Sequence, residues 1–145
     1  MRSSPDTHNN YVKEVNKKLD GMVKPLVRFL KAWKYYRDVP ISSFYLEMRV
    51  AKYASGESSI IYSIDVKNIL KLLWNNQLAA LQDPTGISGY ISPCSSDAKK
   101  SKTLSKLETA LKRAQNAIDA ENEGEITDAF YWWNLVFNEK FPAYG

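Results

Sequence analysis

The chain has 145 residues, which suits one domain, and 44% of them are hydrophobic, which excludes a disordered protein. The formal net charge of +4 permits binding to nucleic acid but does not by itself argue for it. The single cysteine, Cys94, excludes an intrachain disulfide and a cysteine-rich zinc site. No apolar run approaches the roughly 20 residues of a membrane span, and the polar start lacks the apolar stretch of a secretory signal. We therefore expect a cytoplasmic protein without a membrane partner.

The first long helical pattern has two opposite faces. Residues 1–9 are polar and contain Pro5, so an extended arm is predicted there. From residue 11 to residue 36, hydrophobic residues recur at intervals of three and four, which predicts one buried helical stripe. The Asp20-Gly21 pair inside this pattern predicts a kink or a break into two helices. The opposite face is cationic and carries Lys13, Lys17, Lys24, Arg28 and Lys31. That face is either a solvated surface or a surface that meets anions.

A helix start follows this pattern. Pro40 ends the first helical region, because proline disfavours the α conformation in the residue before it. Ser42 or Ser43 then occupies an N-cap position, ahead of a helix predicted over residues 44–54. Backbone N–H groups at such a start, with a serine hydroxyl and Lys31 from the preceding helix, can hold a phosphate. The simpler alternative is a serine N-cap without a ligand, which is worth about 1 kcal/mol of stability.

In the second half of the chain, the sequence predicts two more helices and a long loop ahead of the last helix. An apolar stripe over residues 66–81 predicts a helix, and the Pro and Gly content of residues 83–96 predicts a loop packed on the helices. Residues 104–118 carry a regular helical pattern. Its first turns are cationic, with Lys99, Lys100, Lys102 and Lys106. These lysines are either solvated or contact nucleic acid or an acidic partner.

The last predicted helix, over residues 126–137, is rich in aromatic side chains. It follows an acidic turn over residues 119–128 whose spacing fits no EF-hand loop, so we assign no metal there. The predicted fold is an all-α bundle of about five helices in a single domain, residues 1–145, with one long loop between the third and fourth helices.

Three stretches carry a family resemblance. The run LVRFLKAWK, residues 26–34, followed by ISSFYLE, residues 41–47, resembles the helical half of nucleotidyltransferases that include oligoadenylate synthetase and the cGAS/DncV-like cyclic-dinucleotide synthases, the CD-NTases. Residues 81–96 are similar to a loop with a DPTG motif in that family, and residues 129–142 are similar to its closing element. The resemblance covers nearly the whole chain and implies the C-terminal helical fold of oligoadenylate synthetase and poly(A) polymerase.

The resemblance also implies a nucleotide site. In that family a lysine in the first of these helices and a serine at the next helix start contact the triphosphate of the donor nucleotide. These positions correspond to Lys31 and Ser43 here, and Arg28 would assist electrostatically. An aromatic residue beside the serine commonly stacks on a base in the family, and Phe44 matches it. Glu47 resembles a recurring glutamate that orients the lysine or a nucleotide hydroxyl, and the alternative is a plain surface acid.

The sequence departs from the family where its catalytic core would be. Family members begin with a mixed sheet that carries a Gly-Ser motif and carboxylates, including an Asp-x-Asp pair, for two metal ions. This sequence contains neither a Gly-Ser dipeptide nor an Asp-x-Asp pair. The chain therefore resembles the back half of an enzyme, with no catalytic residue and no metal ligand of its own. Magnesium would belong to the missing core, and we expect the chain alone to be inactive.

Two functional readings follow. By the resemblance, the parent enzyme makes oligonucleotide or cyclic-dinucleotide second messengers in antiviral signalling. This chain then has ATP or GTP and the missing catalytic domain as partners. The alternative is a free-standing basic helical module that binds nucleic acid or an acidic protein.

Overall fold

The computed structural model describes residues 5–138 of the chain. This part folds into helices α1 (Pro5–Lys18), α2 (Val23–Tyr36), α3 (Ser43–Ser55), α4 (Tyr62–Asn75), α5 (Asp97–Asn122) and α6 (Ile126–Val136). One small antiparallel sheet pairs β1 (Leu81–Gln82) with β2 (Tyr90–Ile91). The predicted all-α bundle is confirmed. The described residues form six helices rather than five because the first long pattern divides in two.

The division falls at the predicted Asp20-Gly21 pair. Both residues have positive φ, 56° and 80°, a conformation that a continuing helix does not allow. Asn16, in α1, stabilises the break because its Oδ1 accepts hydrogen bonds from the backbone N–H groups of Val23 and Lys24, at 3.1 and 3.0 Å. These amides belong to the first turn of α2, so a side chain of one helix caps the start of the next.

The prediction of an extended arm over residues 1–9 is wrong for residues 5–9, which form the first turns of α1. Proline is tolerated at the start of a helix, because the N–H it lacks would have no partner there. Asp6 in the first turn complements the helix dipole. Residues 1–4 lie outside the described residues.

The core lies between α2 and the helices around it. Leu26, Leu30 and Trp33 of α2 are almost fully buried, as their spacing predicts. α2 packs on α3 and α4, while α5 packs on α4 and α6. The buried face of α5 consists largely of small side chains: Thr103, Leu107, Ala110, Ala114, Ala117 and Ala120. Small side chains allow close approach of neighbouring helices.

The predicted long loop lies between α4 and α5, and it contains the short hairpin of β1 and β2. The predicted helix over residues 66–81 is too long, since α4 ends at Asn75 and Gln77 and Leu78 have positive φ. Two consecutive residues in that conformation cannot continue a helix. In the register of the hairpin, Leu81 pairs with Ile91. None of the helices in residues 5–138 combines the length and the apolar character that a bilayer crossing requires.

The aromatic last helix is confirmed as α6. The part of the matched closing element beyond residue 138 lies outside the described residues.

Candidate anion-binding cleft

The cationic side chains of the first two helices border a common cleft of roughly 280 Å³ between α1, α2 and α3. We call it the basic cleft. It is lined by Lys13 from α1, by Lys24, Arg28 and Lys31 from α2, and by Glu47 from α3. Four cations therefore surround one carboxylate among the described residues. Both helices contribute to this cleft, so four of the five predicted cationic residues lie on it, and Lys17 does not.

The position of Lys31 follows from the packing of α2. Leu26, Leu30 and Trp33 face the core, so residues spaced around them at 24, 28 and 31 face the cleft. Lys31 Nζ lies 3.7 Å from Glu47 Oε2, and the two side chains are 40% and 30% exposed. Glu47 is thus the partner of Lys31. A half-exposed pair of this kind contributes about 0–1 kcal/mol, so a ligand can replace it at little cost.

The structure distinguishes the two serines at the start of α3. Ser42 is the N-cap, because its Oγ accepts a hydrogen bond from the Tyr45 backbone N–H at 3.1 Å. The Ser42 backbone N–H donates to the Pro93 carbonyl at 2.7 Å, which fixes the cap to the long loop. Ser43 is the first residue of α3, it is exposed, and its hydroxyl makes no hydrogen bond within residues 5–138. The capping role and the proposed ligand role therefore belong to different serines.

We expect Ser42→Ala to lower the free energy of unfolding by about 1 kcal/mol, because the Tyr45 N–H loses its acceptor. The matched variant Ser43→Ala should change it by less than about 0.5 kcal/mol, since an exposed hydroxyl without a protein partner is lost. Urea unfolding followed by circular dichroism measures both values. An equal loss in the two variants would contradict the assignment of the cap.

Ser43 lies one helical turn before Glu47, on the same face of α3. Glu47 contacts Lys31 and lines the basic cleft, whereas Ser43 does not line it. Lys31 and Arg28 do line it. The structure thus brings two of the predicted phosphate ligands together and sets the third at one turn's distance, while their role as ligands stays a prediction.

Phe44 contacts a residue that the sequence did not connect with it. Its ring meets the ring of His8 edge to face, with 5.0 Å between the centroids and 72° between the planes. The Phe44 side chain remains 36% exposed. Base stacking by Phe44 stays a prediction. The contact with His8 shows that the ring also packs the start of α3 against α1.

A buried hydrogen bond joins α1 to the hairpin loop. His8 Nε2 lies 2.7 Å from Asp83 Oδ2, and the two residues are 3% and 4% exposed. Asp83 Oδ1 accepts from both the backbone N–H and the hydroxyl of Thr85, and Oδ2 accepts from the Ser88 N–H. Burial alone would raise the pKa of the Asp83 carboxyl, but the hydrogen bonds from His8, Ser88 and Thr85 outweigh it. They hold that pKa well below its usual range.

Sequence reasoning placed His8 in a polar arm and Asp83 at the start of a loop packed on the helices, so it missed this pair. The sequence Asp83-Pro84-Thr85 indicates a turn, and the structure shows an Asx turn there, in which Asp83 accepts from the Thr85 N–H. The contact with His8 has no such indication, because His8 lies 75 positions away and no local pattern relates the two residues.

The geometry of the pair excludes a hydrolytic triad. Asp83 Oδ2 and the Ser88 hydroxyl both approach the same nitrogen of His8, Nε2, at 2.7 and 3.5 Å. A Ser-His-Asp triad requires the serine and the aspartate on opposite nitrogens of the imidazole. The pair instead holds the start of α1 against the hairpin loop.

The acidic turn between α5 and α6 is exposed. The protonated Glu125 carboxyl donates a hydrogen bond to the neighbouring Asp128 carboxylate, which raises the pKa of Glu125, and the negative charge of Asp128 adds to the effect. Within residues 5–138 there is no group of three or more His, Cys, Asp or Glu side chains placed to hold a metal ion.

Comparison with known proteins gives one informative similarity. The chain matches no family model. It is similar to a probable cyclic nucleotide synthase of Bacillus cereus (strain VD146), with 26% identity over 147 aligned residues. The alignment covers 99% of this chain and 43% of that protein, so the chain spans less than half the length of the relative it matches. Nearly the whole chain is thus related to part of a protein named as a probable cyclic nucleotide synthase, and a CD-NTase-like relation is the conclusion that this similarity supports.

Proposed function

We propose that this chain is the nucleotide-binding helical half of a CD-NTase-like nucleotidyltransferase, and that it binds the triphosphate of a donor nucleotide in the basic cleft. The observation that carries the proposal is the convergence of Lys13, Lys24, Arg28 and Lys31 on one cleft. The similarity to a probable cyclic nucleotide synthase supports it. The parent enzyme would make oligonucleotide or cyclic-dinucleotide messengers in antiviral defence.

Charge complementarity explains why a triphosphate fits. Phosphoryl transfer depends on positioning the phosphates and offsetting the charge on their oxygens, and there is little other chemistry for the protein to supply. Lys31 offers a compact ammonium, and Glu47 keeps it directed across the cleft before a ligand arrives. Ser43 adds a hydroxyl donor at the positive end of α3.

Residues 5–138 offer no carboxylate cluster that fits Mg²⁺, so we assign phosphate binding alone to this part of the chain. The catalytic sheet and its metal ions would be contributed by a separate domain, ahead of these helices in the parent. The isolated chain is then expected to bind ATP or GTP weakly and to catalyse no reaction.

The test is nucleotide binding by the Lys31→Ala variant, measured by isothermal titration calorimetry with ATP and GTP. We expect the dissociation constant to rise roughly tenfold, the effect of losing one charge-assisted hydrogen bond. Lys17→Ala is the matched control, because Lys17 is an exposed cation of α1 that does not line the basic cleft. This variant should bind nucleotide as tightly as the unsubstituted chain does.

Two outcomes would contradict nucleotide binding in the basic cleft, and a third would contradict the expected inactivity. An equal loss in Lys31→Ala and Lys17→Ala would mean that nucleotides respond only to overall charge. Salt-sensitive RNA binding that disappears when Lys99, Lys100 and Lys102 are neutralised would instead favour the free-standing nucleic-acid-binding module. Formation of an oligonucleotide or cyclic product by the chain with ATP, GTP and Mg²⁺ would disprove the expected inactivity.

A further inference from the structure

A second basic pocket lies between α2, α5 and α6. It has a volume of roughly 180 Å³ and is lined by Trp33, Arg37, Ser105, Lys106, Thr109 and Arg113, among others. We call it the α5 pocket. Trp33 follows Lys31 by two positions, which is about 200° around a helix. The α5 pocket and the basic cleft therefore lie on opposite sides of α2.

The α5 pocket is cationic, and two of its cations, Lys106 and Arg113, have no acidic partner in the part of the chain that the structure describes. Three of its lining side chains carry positive charge, and none of the lining residues is acidic. Lys106 and Arg113 are half-buried, and neither forms an ion pair with a carboxylate of residues 5–138. Half-buried cations without a counter-charge are costly, and an anion bound between them would lower that cost.

Part of this arrangement has a structural explanation. Arg37 Nε and Arg113 Nη1 both donate to the Leu135 carbonyl in the last turn of α6, at 3.0 and 3.4 Å. These bonds satisfy a helix C-terminus and hold both guanidinium groups in place. A guanidinium has five N–H donors, so the bond to Leu135 leaves most of those on Arg113 for another acceptor.

The remaining polar groups of the pocket take no part in capping α6. Lys106 does not contact the Leu135 carbonyl, and the Ser105 hydroxyl makes no hydrogen bond within residues 5–138. Ser105, Thr109 and Arg113 follow one another at intervals of four, on one face of α5. Thr109 Oγ1 donates to the Ser105 carbonyl at 3.3 Å. The pocket thus combines Lys106 and a free Ser105 hydroxyl, which take no part in capping α6, with the remaining N–H donors of Arg113.

We propose that the α5 pocket binds a single phosphate group, either the free ion or the phosphate of a small ester. Arginine, lysine and hydroxyl donors together are the groups that recognise phosphate oxygens. Sites for whole drug-sized molecules occupy about 300–1,000 Å³, so this smaller pocket suits one phosphate rather than a complete nucleotide. Trp33, which is 1% exposed, closes the floor and keeps water from that side. This site is independent of nucleotide binding in the basic cleft.

The experiment is a titration with inorganic phosphate at constant ionic strength, followed by the amide NMR signals of residues 105–113. We expect saturable shifts in these signals and roughly tenfold weaker binding by Lys106→Ala. Lys112→Ala is the matched control, because Lys112 is an exposed lysine of α5 that does not line the pocket. The Lys31→Ala variant should bind phosphate in the α5 pocket as tightly as the unsubstituted chain does, which separates this site from the basic cleft.

A second pair of variants keeps the test independent of Lys106. Ser105→Glu places a carboxylate beside the pocket and should abolish the shifts, whereas Ser101→Glu, on an exposed position of α5, should leave them unchanged. A parallel titration with adenosine monophosphate decides whether a phosphate ester is accepted as well as the free ion. Absence of a response to both ligands, or equal weakening in Lys106→Ala and Lys112→Ala, would overturn the proposal.

Discussion

Replacing Asp83 by alanine is expected to lower the free energy of unfolding by about 3–5 kcal/mol, because several largely buried donors lose their acceptor at once. Asp83 accepts four hydrogen bonds, from His8, from the N–H and hydroxyl of Thr85, and from the Ser88 N–H. The alanine variant leaves a 3% exposed His8 and two loop amides without an acceptor. Denaturant unfolding followed by circular dichroism measures the loss.

The control for this prediction is Glu108→Ala, which removes an exposed acid from α5 and should change the free energy of unfolding by less than about 0.5 kcal/mol. His8→Ala should also be strongly destabilising. The double variant should lose less than the sum of the two single losses, because the pair acts as a unit. A loss below about 1 kcal/mol in Asp83→Ala would show that the pair does not hold α1 to the hairpin.

The acid limb of the stability curve gives a second readout of the same pair. The folded-state pKa of Asp83 lies well below its unfolded value, which is about 3.9. The stabilisation is therefore complete above the unfolded pKa and is lost as the pH falls through the folded pKa. Below about pH 4 we expect the unsubstituted chain to lose stability more steeply than the Asp83→Asn variant, because the asparagine amide takes up no proton in this range. Identical slopes would contradict the depressed pKa.

The features that the sequence predicted correctly are those that depend on neighbours along the chain. The apolar spacing that buries Leu26, Leu30 and Trp33 also sets Lys24, Arg28 and Lys31 on the opposite face of α2. The Asp20-Gly21 pair predicts the break between α1 and α2, because positive φ values end a helix.

The features that the sequence missed depend on contacts between distant segments. Which serine caps α3 is decided with the help of Pro93, whose carbonyl accepts the Ser42 N–H from the far end of the long loop. His8 is buried only because Asp83 reaches it across 75 positions. The α5 pocket is invisible in the sequence, since Arg37 and Arg113 meet only where α6 ends between them. The local sequence pattern predicts which face of a helix is buried. Which two faces pack together depends on the fold.

A second large effect is expected from Asp65→Ala, at about 2–4 kcal/mol of unfolding free energy. Asp65 is 4% exposed and accepts from the Tyr53 hydroxyl and from the Ile61 N–H, the latter at 2.6 Å. Ile61 is the N-cap of α4 and has no capping side chain, so Asp65 satisfies the helix start from one turn inside it. The alanine variant therefore loses a cap and, at the same time, the stronger acceptor of the Tyr53 phenol, which keeps only the 3.5 Å hydrogen bond to Glu57 Oε1.

Thermal unfolding distinguishes the two losses. Burial raises the pKa of the Tyr53 phenol, and the hydrogen bond to Asp65 raises it further, so the phenol stays protonated and donates. Tyr53→Phe leaves the cap of α4 in place and removes the hydroxyl with its longer bonds to Glu57 and Asn68, so it should cost about 1 kcal/mol, whereas Asp65→Ala should lower Tm by about 6–12 °C. Asp119→Ala, an exposed acid at the end of α5, is the control and should leave Tm nearly unchanged. If Tyr53→Phe destabilised as much as Asp65→Ala, the cap of α4 would contribute nothing to the free energy of unfolding.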